Sequence, residues 1–272
     1  MRSERWDTQE PIRLSLEVPS GDVRVETGDE PETTVDLEPA HDDDASVEAV
    51  EKARIELRGG ELSVIVPEQR TFGISFGRRG AVILRVRTPH GATASIKTKS
   101  ADVVARGRYA RAEVNSASGD IEIGEVERDA EFNTVSGDLR AGPIGGHVEL
   151  NAVSGDAVLE RVGGRLRVNC VSGDVTVREA SDAVKVESVS GDVRLESVES
   201  GDVELNSISG DLQVAIKRGS RLAVDANAVS GDLRSDIELG TDESSAGGED
   251  GPLVDLRART ISGDLRITRT SA

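Results

Sequence analysis

From residue 91 onward, apolar and polar side chains alternate in short bursts, most of them closing on Ser-Gly-Asp or a near copy of it. Counted at the central residue of each triplet, Ala101, Gly119, Gly137, Gly155, Gly173 and Gly191 stand 18 residues apart. Gly210, Gly231 and Gly263 follow at steps of 19, 21 and 32. The last step contains "GTDESSAGGEDGPL", a polar, Gly-rich stretch of 14 residues whose removal restores 18, so 240–253 is predicted to be a loop insertion.

The copies align into columns. Five residues before the centre stand Ile96, Val114, Phe132, Leu150, Val168, Val186 and Leu205; two after it stand Val103, Ile121, Leu139, Ala157, Val175, Val193 and Leu212. Ile123, Ala141, Leu159, Val177, Leu195 and Val214 continue the alternation two positions later. Residues two apart share one face of a strand, so these columns point inward. An 18-residue unit with two short strands cannot bury its own apolar face, but stacked copies fuse their inward columns into one core. The predicted fold class is therefore all-β: a single-stranded, β-helix-like β-solenoid of about nine coils, preceded by an N-terminal β cap. Hairpin-built sandwiches and barrels would show varied spacing.

The triplet has a structural reading. Gly119, Gly137, Gly155, Gly173, Gly191 and Gly210 supply a corner that only glycine turns without a steric penalty, while Ser and Asp bond nearby backbone groups. Four residues before the centre, Asn115, Asn133, Asn151 and Asn169 are placed to form an amide ladder along the stack. The Asp column, including Asp120, Asp138, Asp156, Asp174 and Asp192, poses a problem. Carboxylates about 4.8 Å apart repel by about 0.9 kcal/mol per pair even in water. Turn N–H groups would offset this, and so would a row of cations such as Ca²⁺. The Gly-Gly-x-Gly-x-Asp nonapeptide of calcium-binding β-rolls is absent, which weighs against a metal. On the outward positions Glu160, Arg178 and Glu196 alternate in sign, while Glu113, Glu131 and Glu149 repeat it and read as a solvated face.

Residues 1–90 break the period. "PIRLSLEVPSGDVRVE" carries the same alternation and triplet and reads as a divergent first coil or a cap. "HDDDASVEAVEK" reads as a loop or short helix, "ARIELRGGELSVIVPE" as a hairpin turning at Gly59–Gly60, and "QRTFGISFGRRG" as a loop. This gives two regions, a cap at 1–90 and the array at 91–272. Sheet edges must be covered. The cap serves one end; at the other the last coil, "LRITRTSA", offers little cover and is expected to be blunted by Arg266 and Arg269 or docked on a second subunit.

Composition narrows the chemistry. Aromatic residues make up 2% of the chain, so the core is built from small aliphatics. A net charge of −18 disfavours nucleic acid, which needs a basic footprint. Cys170 is the only cysteine and falls at an apolar position, so it reads as a core residue. His41, His90 and His147 lie in separate segments without metal-ligand spacing. Ser-Gly-Asp recurs in every coil, whereas catalysis needs one constellation, so no catalytic, cofactor or metal site is assigned. No apolar run reaches transmembrane length and the start lacks a secretory apolar segment, which makes the cytoplasm the expected compartment.

"PIRLSLEVPSGDVRVE", "ARIELRGGELSVIVPE" and the recurring "NxVSGDVxLxxV" together resemble the putative-adhesin β-strand-repeat proteins, domain-of-unknown-function family 4097, over nearly the whole chain. The resemblance implies a β-solenoid and an adhesin-like, surface-associated role, and it carries over no catalytic residue. The expected function is a non-enzymatic scaffold that engages a protein or polymer partner along its long faces. The alternatives are a structural protein that self-assembles end to end and, behind it, a polysaccharide-active β-helix enzyme.

Overall fold

The computed structural model describes residues 1–68, 80–237 and 251–270. The loop read from 69–79 and the part of the insertion at 240–250 lie outside the described residues. Two compact units follow one another along the chain, Met1–Asp138 and Leu139–Ala272.

In the C-terminal unit each coil consists of two strands set at a corner. Val148–Ser154 runs into the turn at Gly155–Asp156, Ala157–Val162 leaves it, and the next coil starts at Leu166. Successive coils pair in parallel and in register, with Leu150 beside Val168 and Leu159 beside Val177. The inward columns are dry: Leu150, Val168, Leu205, Leu159, Val177 and Val214 are all buried. A further buried column, Ile144, Val162, Ala180 and Val198, ends the second strand of each coil. There the alternation breaks, because two consecutive residues such as Glu160 and Arg161 face out before Val162 turns in.

The corner glycine is required twice over. Gly173 has φ +124°, and a Cβ on it would lie 2.1 Å from the carbonyl oxygen of Gly155 in the coil below. Stacking and left-handed backbone therefore exclude a side chain at the same atom.

The last coils do not stack in the order in which they are synthesised. Gly201–Ser209 pairs with Leu253–Ser262, and Leu253–Ser262 pairs in turn with Arg221–Ser230. The second strands agree: Leu212–Ile216 and Leu233–Ser235 both pair with Leu265–Arg269. The coil containing "LRITRTS" is therefore an inner one, with Leu265 and Ile267 fully buried, and the outermost coil is 221–235. This corrects the expectation that the last coil in sequence ends the array. Arg266 pairs with Asp236 at 3.1 Å, and Arg269 donates to the carbonyls of Lys217 and Ser220 at 3.1 and 2.6 Å, so neither arginine guards an edge. Chain length permits the exchange. Steps of 18 residues climb one rung; the step of 21 to Gly231 skips a rung, and the step of 32 to Gly263 returns to fill it.

The N-terminal unit repeats this device. Arg13–Gly28 is flanked on both edges by parallel strands: Glu61–Ile65 and Val82–Pro89 on one side, the start of Ala92–Ser118 on the other. The segment read as a first coil or cap is therefore an inner coil, and Glu61–Ile65 and Val82–Pro89 form the coil outside it. That outer coil is covered by antiparallel strands. Arg54–Arg58 pairs with Glu61–Ile65, and Glu32–Pro39 pairs with Val82–Pro89 and then with Arg2–Asp7. The predicted hairpin turns at Gly59 and Gly60, whose φ values of 57° and 74° are those of a primed turn. "HDDDASVEAVEK" contains the helix Asp44–Lys52, capped by the Asp43 carboxylate accepting from the Ser46 N–H at 2.7 Å. Tyr109 and Phe132 fill this core. The Tyr109 hydroxyl lies 3.0 Å from the Val25 carbonyl, and burial, with the Glu26 charge adding to it, pushes its pKa far above the ordinary range.

One core column is polar. Ser188, Ser207 and Thr260 sit side by side on three successive coils, buried, and their hydroxyls have no hydrogen-bond partner among the described residues. Ala152 and Ala228 occupy the same column elsewhere. Ser207→Ala is therefore expected to raise stability by about 1 kcal/mol, because it removes an unsatisfied buried group without leaving a large void. A thermal melt checks this; a lower Tm contradicts it.

Candidate functional site

The strand that enters each corner carries three outward columns, and several members of the first two are bonded along or within the coils. Asn169 donates from Nδ2 to Asn151 Oδ1 at 2.7 Å in the C-terminal unit, and Asn133 donates to Asn115 at 3.0 Å in the N-terminal unit. Glu113 and Glu131 accept from Asn115 and Asn133 at 2.9 Å each, so the like-signed column is tied down within its own strands. In the C-terminal unit Lys185 lies 3.0 Å from Glu187 and 3.5 Å from Glu204. The hydrogen bond from Asn206, with Lys185 adding to it, holds the Glu204 carboxyl below its usual pKa.

The Asp column forms a ladder of backbone-to-carboxylate bonds. In the N-terminal unit the N–H of Asp120 donates to Asp102 Oδ1 at 3.0 Å and that of Asp138 to Asp120 Oδ1 at 2.9 Å. In the C-terminal unit the N–H groups of Asp174, Asp192, Asp211, Asp264 and Asp232 donate in turn to Asp156, Asp174, Asp192, Asp211 and Asp264, at 2.8 to 2.9 Å. Each carboxylate thus accepts a charge-assisted bond that offsets the repulsion along the row. Among the described residues no group of three or more His, Cys, Asp or Glu side chains is arranged to hold a metal ion.

The third outward column is apolar, and the sequence reading passed it over. Two residues before each corner glycine, Val153, Val171, Val189, Ile208, Ile261 and Val229 follow one another on six adjacent coils of the C-terminal unit. They are 44 to 75% exposed, although their neighbours on either side along the strand pack inward or are polar. The spacing is that of the strands, about 4.8 Å. The signal was present as the "V" of "VSGD", which stands out of phase with the inward columns. The result is a one-residue-wide aliphatic ridge between a polar column, Asn151, Asn169, Glu187, Asn206, Arg259 and Asn227, and a row of Ser and Asp.

The remaining residues singled out in the sequence do not converge. His147 accepts through Nδ1 from the Arg165 N–H at 2.9 Å, and His90 Nδ1 lies 2.8 Å from the Thr27 hydroxyl. Cys170 is buried, and burial raises its thiol pKa, so the reactive thiolate is disfavoured. Arg178 and Glu160 pair across coils at 3.7 Å. A cavity of about 40 Å³ in the N-terminal unit, lined by Pro19, Val66, Gly80 and Lys99, is too small for more than a water molecule or two. No helix among the described residues is long and apolar enough to cross a membrane.

A family model described as Toastrack DUF4097 matches residues 11–207 and 164–268. No curated protein matches the chain. Among solved structures, a putative lipid binding protein from Parabacteroides distasonis is 15% identical with a TM-score of 0.48, the match covering 98% of this chain and 96% of that one. A putative adhesin from Parabacteroides merdae is 11% identical over the same shares, with a TM-score of 0.45. A putative adhesin from Bacteroides fragilis is 14% identical, again over 98% and 96%, with a TM-score of 0.35.

Proposed function

We propose, from the premise that this chain belongs to the Toastrack DUF4097 family, that it is a non-enzymatic, adhesin-like scaffold that binds a protein or polymer partner along its repeat face. The observation that carries this reading is the aliphatic ridge from Val153 to Val229. Six half-exposed or more exposed β-branched side chains at constant spacing give an extended partner one contact per coil, and the rigid stack pre-organises them. The flanking Asp ladder is engaged in holding the coils together, and the ridge is the apolar part of this face that gains from burial.

A photo-crosslinking residue at position 171 in cells, with a control at position 194 on the other strand's outward face, tests the proposal. A discrete adduct is expected from 171 and not from 194, and it should disappear when Val153 and Val189 on the neighbouring coils are changed to Asp. Equal labelling from both positions, or none from 171, overturns it.

A second reading is self-association, and one observation favours it: among the described residues the coil 221–235 is paired on one side only.

A further inference from the structure

The outer edge of Arg221–Ser230, unpaired among the described residues, has a definite hydrogen-bonding face. The Arg221 N–H donates to the Pro252 carbonyl of the inner neighbour. Backbone groups of alternate residues in a strand point to opposite edges, so Leu222, Val224, Ala226 and Ala228 direct their N–H and C=O groups away from that neighbour. Their side chains continue the inward columns, but they are only half-buried, where the corresponding Val254, Leu256 and Ala258 are fully buried. Leu233 is 45% exposed while Leu265 beside it and Leu212 one coil further in are dry. Among the described residues, neither the backbone nor the core of this coil is completed on its outer side.

Other edges are protected. In the N-terminal unit, Arg2–Asp7 and Arg54–Arg58 each pair on one side among the described residues, but they are short and carry four and three charges, respectively. Short, charged edges discourage pairing. Arg221–Ser230 has ten residues and only two charges, Arg221 and Asp225.

The strand also complements itself. Antiparallel pairing with a second copy, centred on Ala226, sets Ala226 against Ala226, Val224 against Ala228 and Leu222 against Ser230. Leu222, Val224, Ala226 and Ala228 direct their backbone groups at the partner, and their apolar side chains meet on the core side; the pairing ends at Ser230, whose carbonyl accepts from the Gly263 N–H of the inner neighbour. On the outer side Asp225 faces Asn227, a carboxylate against an amide. Centring on Asp225 instead would bring two carboxylates together.

The geometry points to a closed, two-fold dimer in which Arg221–Ser230 pairs antiparallel with its own copy, completing the last coil of each subunit. This rests on the self-association reading above and narrows it. A surface that pairs with itself is used up in the pair, so assembly stops at two instead of growing into a filament.

Sedimentation of the full chain in the upper micromolar range is expected to show a dimer. Ala226→Pro removes an N–H that points at the partner and not at the inner neighbour, so the dimer should weaken by at least about 100-fold while the melting temperature of the monomer is retained. Should that variant unfold, Asn227→Asp decides, since it sets carboxylate against carboxylate and should weaken the dimer about tenfold. Adding Asp225→Asn to it should restore the dimer. With Cys170→Ser as background, Ala226→Cys should form an intersubunit disulfide, because a hydrogen-bonded antiparallel pair spaces its Cα atoms about 5.5 Å apart. Val224→Cys, about 14 Å from its own copy in this register, should not. A monomer at every concentration overturns both the inference and self-association. A dimer indifferent to Ala226→Pro and Asn227→Asp, or crosslinking equally at 224 and 226, overturns the inference alone.

Discussion

Deleting residues 251–270 is expected to release two coils, not one. In an array stacked in chain order, removing the last coil would leave its predecessor in place. Here the removed coil lies between 201–216 and 221–235, and 221–235 has no other pairing partner among the described residues. Val254, Leu256, Leu265 and Ile267 are fully buried in that position, each worth roughly 2 kcal/mol of apolar burial. Without them Arg221–Ser230 loses its ladder and its core at once. Hydrogen exchange is the direct measurement: amides that bond to the inner neighbour, such as that of Arg221, should pass from protected to freely exchanging. Trypsin should then cut after Arg221 and Arg234. Retained protection of 221–230 in the shortened chain would mean that the coils stack in sequence order after all.

The second large effect is expected at the corner. Gly173→Ala places a methyl group 2.1 Å from the Gly155 carbonyl oxygen at a φ of +124°. Backbone strain and forced separation of two rungs together should cost about 4 kcal/mol, and lower Tm by roughly 10 °C or more. Gly219→Ala isolates one of these contributions. Its φ is +90°, yet a Cβ there meets nothing within 4 Å, so it should cost only about 1 kcal/mol. Similar losses from the two substitutions would show that the close approach of the coils contributes little.

The contrast between these two glycines illustrates what the sequence can and cannot convey. Both sit in turns at positive φ, but only the recurrence of Gly173 at 18-residue steps marks a position where backbone meets backbone. The inward columns around Leu150 and Leu159 were legible because strict alternation has one structural meaning. The column of Ile144, Val162 and Val198 was not, since two outward residues precede each member and break the period. The hairpin at Gly59–Gly60 was legible because primed turns demand such residues. Coil order was hidden for a different reason. A coil presents the same columns to either neighbour, so the pattern is blind to which rung it occupies; only the connection lengths carry that information. The ridge was hidden by its own motif. Val171 sits inside "VSGD", where the turn explained the recurrence of the whole word and left no reason to ask where its first letter pointed.

The position of Arg13–Gly28 between later segments bears on how the protein is made and how it can vary. This strand leaves the ribosome early, but its flanking strands at 61–65, 82–89 and 92–106 follow tens of residues afterwards. Until they arrive it has both edges unpaired, and a nascent chain held at that stage would be a ready substrate for a chaperone. The same interleaving restricts evolution. Duplicating or losing a coil near either terminus would separate a strand from one of its two partners. A whole 18-residue unit between about 148 and 198 can be copied or dropped with every remaining register of the C-terminal unit intact. Relatives of different length should therefore differ in the middle and agree at both ends.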